Sequence, residues 1–310
     1  MRSPRLPRSW GLLCAPIMLY LLPVTVSLAR AADTATFNGG RAFEDLKRIV
    51  AFGPRPSGSP ALAETRRWIV QQLQREGLQV EEDKFVAATP AGNLPMSNLI
   101  VKLPGARPQV ILVGGHYETK RFVQFRFVGA NDGGSSAALL LELGRVLKQR
   151  RNAFTIWLVF FDGEEALGEW SQSDGIYGSR HLADKLTASG DLSRIRAMIL
   201  VDMIGDARLN VHRDINSTSW LSDLVFDTAR RLGYKRFFPG KTGAFEDDHL
   251  PFVNAGVPAV DLIDFEYGPG HSYWHTPADT VDKCSPTSLT IVGRVVAAVL
   301  GELEKSPHLR

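Results

Sequence analysis

The stretch Phe160-Phe161-Asp162-Gly163-Glu164-Glu165 joins three carboxylates and a glycine directly to an apolar run, Ala153–Val159, rich in aromatic and β-branched residues. Such a run reads as a strand buried on both faces. Carboxylates at the carboxyl end of a buried strand lie where open α/β sheets keep their ligand crevice. Neighbours in extended chain point to opposite sides, so Glu164 and Glu165 can divide two tasks, one holding a cation and the other moving protons. A solvated acidic turn has the same local sequence, and the choice rests on what the other strand ends carry.

Those ends carry more of the same chemistry. His116-Tyr117-Glu118 closes the apolar segment Gln109–Tyr117, and Asp132 stands in Asp132-Gly133-Gly134 ahead of a helical stretch. Asp202 interrupts Leu200-Val201-Asp202-Met203, Asp247-Asp248-His249 opens a short helix, and Trp274-His275-Thr276 follows the last strand. Each has an ordinary explanation alone. Asp202 could be a satisfied core carboxylate, His116 a hydrogen-bonded strand-end histidine, Asp248 an N-cap, and Trp170 and Trp274 core aromatics. Together they place carboxylates and histidines at successive strand ends that an α/β sheet gathers on one edge. Buried carboxylates are costly unless paired or bound to metal. Histidine with carboxylates and no cysteine suits zinc, with an open coordination position if the metal is catalytic. The remaining histidines, His181, His212, His249, His271 and His308, read as structural or surface residues.

The elements that position these groups alternate. Helical spacing runs over Phe43–Phe52, Ala61–Glu76, Ser135–Leu147, Ser179–Leu186, Trp220–Leu232, Asp248–Val253 and Ser288–Leu303. Strand patterns run over Leu78–Val86, Ser97–Leu103, Gln109–Tyr117, Ala153–Val159, Ala197–Met203 and Val257–Ile263. Gly53-Pro54-Arg55-Pro56-Ser57-Gly58-Ser59-Pro60 reads as a break between the first two helices. The pattern predicts an α/β fold, a single domain whose mixed, mostly parallel central sheet has helices on both faces.

The chain has 310 residues, 44% hydrophobic and 22% charged, enough for a sizeable core. Arg2, Arg5 and Arg8 precede an apolar run that ends at Ala29-Arg30-Ala31. Residues 1–31 read as a secretory signal peptide, and 32–310 as the catalytic domain. The rival is an uncleaved anchor, but small residues follow the run directly. After cleavage no stable membrane anchor is expected. The leader holds four arginines and no acid, so its removal takes the formal charge from +3 to −1 and leaves no electrostatic case for nucleic acid. Of the two cysteines, Cys14 leaves with the leader and Cys284 stands alone, so no internal disulfide forms. These features point to a bacterial protein that is periplasmic or secreted.

Longer segments carry a resemblance. Asp162-Gly163-Glu164-Glu165-Ala166 with Trp170-Ser171, Tyr177-Gly178-Ser179-Arg180-His181-Leu182-Ala183, His116-Tyr117, Phe127-Val128-Gly129-Ala130, Asp247-Asp248-His249-Leu250-Pro251-Phe252 and Trp274-His275-Thr276 resemble the animal-type glutaminyl cyclases, the glutaminyl-peptide cyclotransferases. The resemblance spans roughly residues 40–303 and implies the fold of the zinc aminopeptidases. It further implies one catalytic zinc held by Asp132, Glu165 and His275, with Glu164 as general acid and base. Asp202 and Asp247 would form a hydrogen-bonded carboxyl pair near it, and Trp170, Trp274 and His116 would shape the substrate pocket. The substrates would be peptides or proteins with N-terminal glutamine, converted to pyroglutamate with release of ammonia. Glu118 replaces an aspartate usual in the pattern, Asp261 stands where a histidine tends to stand, the loop Asp264–Tyr273 is longer than expected, and the disulfide near the site cannot form. The alternative is a two-zinc aminopeptidase, with His116 and Asp202 on a second metal and Asp132 bridging. A non-catalytic module on the same fold is a third reading, disfavoured because Asp132, Glu164, Glu165 and His275 are all retained.

Overall fold

The computed structural model describes Met1 and residues 36–309; the signal peptide and its cleavage site lie outside the described residues. Helices α1 (Gly39–Ala51) and α2 (Pro60–Arg75) come first, then strands β1 (Val80–Thr89), β2 (Gly92–Leu103) and β3 (Arg107–His116). Then follow α3 (Gly134–Leu147), β4 (Phe154–Phe161), α4 (Tyr177–Ser189), β5 (Ile195–Asp202), β6 (His212–Asp214) and α5 (Ser219–Arg231). The chain closes with β7 (Thr242–Gly243), α6 (Leu250–Asn254), β8 (Ala259–Ile263) and α7 (Pro286–Leu303).

One eight-stranded sheet has the order β1-β2-β4-β3-β5-β8-β6-β7. Its centre, β4-β3-β5-β8, is parallel throughout, and antiparallel pairings flank it. The central strands follow the two-residue period of side chains buried on both faces. Ile111 and Val113, Ile156 and Leu158, and Ile199 and Val201 pack on one side with α1, α2, α3, α5 and α7. Val110 and Leu112, Trp157 and Val159, and Met198 and Leu200 pack on the other with α4 and Phe252 of α6. Helix α7 is long and apolar enough to cross a membrane, but it packs against α1, α3 and α5.

The predicted architecture matches, with differences at the margins. β1 and β2 extend to a tight turn between Thr89 and Gly92, through Pro90 and Pro95, which read as loop in the sequence. An edge ribbon tolerates proline where a central strand does not. β6 and β7 are too short to carry a period, and the sequence shows neither. Helix α6 starts at Leu250 with His249 as its cap residue, so Asp248 is not an N-cap; its Oδ1 accepts from Ser179 Oγ at 2.5 Å.

The parallel register sends the carboxyl ends of β3, β4, β5 and β8 to one edge, with His116 beside Phe161 and Asp202 beside Ile263. Gly115 makes this close approach possible. A Cβ there would meet the Val201 carbonyl oxygen and the Ser136 Cβ, each at 2.7 Å. Gly115→Ala is therefore expected to cost about 1–3 kcal/mol by overpacking. Urea unfolding would show this as a lower midpoint, and an unchanged midpoint would contradict the close packing.

Candidate metal and catalytic site

The site residues are delivered by several elements, and the edge of the parallel sheet brings them together. His116 ends β3, Asp202 ends β5, and Glu164 and Glu165 follow β4. Asp132 precedes α3. Its backbone N–H donates to Asp279 Oδ2 at 3.2 Å, and that of Asn131 donates to Asp279 Oδ1 at 2.8 Å. Tyr267 OH anchors the same carboxylate at 2.7 Å, so the turn after His275 holds the turn that carries Asp132. Asn131 also ties this turn to the exit of β5, donating to Met203 O at 3.1 Å and accepting from Gly205 N at 2.6 Å.

Three groups converge on one point. His275 Nε2 lies 3.0 Å from Glu165 Oε1 and 3.3 Å from Asp132 Oδ2. One ligand atom from each of the three lies within 4.8 Å of the others. Asp132 Oδ2 is buried and has no aligned hydrogen-bond partner. An imidazole nitrogen and two carboxylate oxygens in this arrangement fit a divalent zinc with an open coordination position. His275 holds its ring there with φ of 52°, a region non-glycine residues seldom occupy and tolerate at functional sites when neighbours enforce it. Trp274 stacks on the ring with centroids 4.0 Å apart, and Phe122 and Phe127 meet it edge-on at 5.6 and 5.9 Å. Lys120 Nζ, 3.5 Å from Glu165 Oε2, borders the far side.

A second group surrounds His116. Its Nε2 bonds Asp202 Oδ1 at 3.1 Å and lies 3.3 Å from Asp132 Oδ1; its Nδ1 lies 3.6 Å from Glu118 Oε1. Glu118 Oε1 accepts from Glu165 N at 3.1 Å, so the glutamate at 118 supports a metal-site residue through its backbone. His116 with Asp132 and Asp202, and His116 with Glu118 and Glu164, form two further clusters of possible ligand atoms. Among the described residues no hydrogen bond joins Asp202 to Asp247. Asp202 takes His116 and its neighbour Met203 N instead, and Asp247 Oδ1 accepts from Asp248 N while Oδ2 is unpartnered. Asp261 is buried on β8, with neither carboxylate oxygen hydrogen-bonded.

The electrostatics follow from burial. Burial disfavours charge on His275, but Glu165 and Asp132 outweigh it and raise its pKa to about 10. Burial likewise opposes charge on His116, and Glu118, Asp132 and Asp202 override it. Asp132, despite burial, is held well below the usual carboxylate range by His116 and His275. Glu164 is pushed well up by burial and by the charge of Glu165 beside it, and Asp247 well up by burial and Asp202. The site divides into carboxylates held low beside cations and carboxyls whose proton affinity burial and like charge raise.

A cavity of about 600 Å³ opens over these groups, within the usual range for ligand pockets. Its lining includes Asp132, Glu164, Glu165, Asp202, Asp247 and His275, with aromatic walls from Trp170 and Trp274. His116 lies beneath it, 1% exposed. Trp170 Nε1 donates to Glu246 Oε2 at 2.8 Å, which fixes the indole across the opening. The sequence reading missed Phe122, Phe245, Phe265 and Lys120, which also line it. These stand in loops without periodicity; the aromatic spacing of Phe122, Phe125 and Phe127 was the available signal. Phe265 places the start of the Asp264–Tyr273 loop at the cavity wall.

Residues 98–300 match the model of peptidase family M28. The mouse glutaminyl-peptide cyclotransferase-like protein is 35% identical over 277 residues, covering 80% of this chain and 72% of that protein. The crystal structure of an Acidobacteriales bacterium glutaminyl cyclase superposes with a TM-score of 0.84 at 43% identity, covering 87% of this chain and 96% of that one. The chain belongs to the glutaminyl cyclases of peptidase family M28. A Zn-dependent exopeptidase from Parabacteroides distasonis, 24% identical and covering 86% of this chain and 99% of its own, shares the fold with a TM-score of 0.77. Cyclases and exopeptidases thus stand on one scaffold, and the difference between them must lie in the site. In this cyclase Cys284 is a buried free thiol.

Asp264 supplies a pH test away from the metal cluster. It accepts from Asn210 N at 2.7 Å and Glu266 N at 3.1 Å, yet burial raises its pKa to about 8. The unfolded value is about 3.9. Between the two the native chain binds the extra proton, so this contribution to stability is full at low pH and is lost as pH rises through about 8. Urea midpoints at pH 5 and pH 8 should lie closer together in Asp264→Asn than in the parent. Equal separations would contradict the assignment.

Proposed function

We propose that the chain is an exported, zinc-dependent glutaminyl-peptide cyclotransferase that converts the N-terminal glutamine of peptides or proteins to pyroglutamate and releases ammonia. The observation that carries the reading is the meeting of Asp132, Glu165 and His275 on the floor of an aromatic-walled cavity with Glu164 beside them. Asp132, Glu165 and His275 would hold the zinc, and the zinc, when bound, supplies Lewis-acid polarisation of the glutamine γ-carbonyl. The substrate's α-amine attacks the side-chain carboxamide carbon, Cδ, closing a five-membered lactam, and the bond from that carbon to the amide nitrogen breaks. Glu164 takes the proton from the attacking amine and delivers it to the leaving nitrogen, so that ammonia departs neutral. Burial and Glu165 raise the proton affinity of Glu164 toward that of the groups it serves. Trp170 and Trp274 hold the glutamine side chain folded onto its own amine and keep bulk water from the carbonyl, which favours cyclisation over hydrolysis. The charge of Asp247 adds to the raised proton affinity of Glu164, and Asp202, fixed by His116, lines the same cavity. The leader at residues 1–31 supports delivery across a membrane.

A second reading has an observation of its own. His116, Asp132 and Asp202 also bring ligand atoms within 4.8 Å, which would suit a second metal and aminopeptidase chemistry. Metal analysis separates the two: one zinc per chain with ammonia released from a Gln-peptide supports the cyclase. Two zincs with free amino acid released from a Leu-peptide would support the peptidase.

Glu164→Gln keeps the shape and removes the proton shuttle. It is expected to lower ammonia release by about a hundredfold or more while zinc content stays at the parent level. Parent-level activity in this variant would rule out the proposed role.

A further inference from the structure

The proline-rich break between α1 and α2 carries a side chain that the reaction does not account for. Arg55, in Gly53-Pro54-Arg55-Pro56, is 0% exposed. Burying a guanidinium is expensive, and one normally sits against a carboxylate. Here no ion pair to it is found among the described residues. Nε donates to Tyr117 O at 2.9 Å, Nη1 to Val128 O at 2.5 Å and Nη2 to Gly129 O at 2.8 Å. The backbone joins in: Arg55 N donates to Thr119 Oγ1 at 3.1 Å, and Thr119 N to Arg55 O at 3.3 Å.

These contacts have a pattern. The acceptors are the two ends of one loop, 117–129, whose flanks carry His116 on one side and Asp132 on the other. At its far end Gly129 has φ of 48°, and a Cβ there would lie 2.4 Å from Asp132 O, so the backbone folds tightly into the residue that bears the carboxylate. The middle of the loop, Lys120 to Phe127, supplies Lys120 and Phe122 to the cavity and sets Phe122 and Phe127 against the His275 ring. A planar fork is suited to closing such a loop, because its three donors have fixed relative directions. Pro54 and Pro56 limit the backbone on either side and aim the fork. The guanidinium charge is offset at longer range by Asp279, Glu118 and Asp132.

We propose that Arg55 is a positioning residue for the metal site: it clasps both ends of the 117–129 loop and so sets the placement of Asp132 and of the aromatic support of His275. The inference rests on the zinc reading above. A merely structural arginine would affect stability alone, whereas a positioning arginine sets the geometry of the ligands.

The experiment compares Arg55→Lys, Arg55→Met and the milder Thr119→Val with Ser59→Ala, which removes the side-chain cap of α2 at a residue that does not line the cavity. Zinc affinity is measured by chelator competition, ligand geometry by the visible spectrum of the cobalt(II)-substituted protein, and stability by thermal unfolding of the metal-free chain. Arg55→Lys should weaken zinc binding about 10- to 100-fold, alter the cobalt spectrum and lower kcat more than it changes KM. Thr119→Val should move the same readouts in the same direction by less, and it decides the matter if the arginine variants do not fold. Ser59→Ala should lower the unfolding temperature and leave zinc affinity and spectrum at parent values. Folded variants at positions 55 and 119 with parent zinc affinity and spectrum would overturn the inference, as would equal shifts in Ser59→Ala. A parent protein that binds no zinc would overturn the underlying functional reading instead.

Discussion

The structure depends on how it handles negative charge that has been taken out of water. Glu118, Asp132, Glu164, Glu165, Asp202 and Asp247 are all buried around one crevice. An ionised carboxylate withdrawn from water costs several kcal/mol even after relaxation, and neighbours of like sign add to it. The site answers in two ways. His116 and His275 hold Asp132 low and His116 does the same for Glu118, while burial and neighbouring charge raise the proton affinity of Glu164 and Asp247. A divalent cation between Asp132, Glu165 and His275 would relieve the same field, which ties metal binding to folding and ligand protonation alike.

The scaffold explains why this much charge can be assembled. Four parallel strands end on one edge, and their hydrophobic faces are covered by helices on both sides. The cost of the site is borne by a large apolar core around it. The second layer of contacts is mostly backbone: Asp279 receives two amides of the Asp132 turn, Glu118 receives the amide of Glu165, and Arg55 gathers three carbonyls. Fixing ligands through the main chain leaves the cavity-facing atoms available to metal and substrate. The same fold is found in an exopeptidase and in a glutaminyl cyclase.

Much of this was legible in the chain itself. Apolar runs such as Val110–Val113 and Ile156–Val159 announce central parallel strands, and the polar residues that end them, His116 and Glu164-Glu165, announce a crevice. Asp202 could be singled out because a charge inside an apolar run needs a reason. Loops were less legible. Phe122 and Phe265 reach the cavity through loop paths that no period encodes, and Asp279 acts through a turn closed only in three dimensions. Asp248 followed a sound local rule for helix caps, but the helix starts two residues later and Ser179 claims the carboxylate. Arg55 was hidden in a proline-glycine break, where composition signals only an interruption.

The central claim is that three side chains remote in sequence form one zinc site. Anomalous diffraction at the zinc edge from crystals of the mature protein tests it most directly. The account predicts a single strong peak per chain, bonded to Asp132, Glu165 and His275 at about 2.0–2.2 Å. A peak centred on other residues, or none after zinc has been supplied, would contradict it.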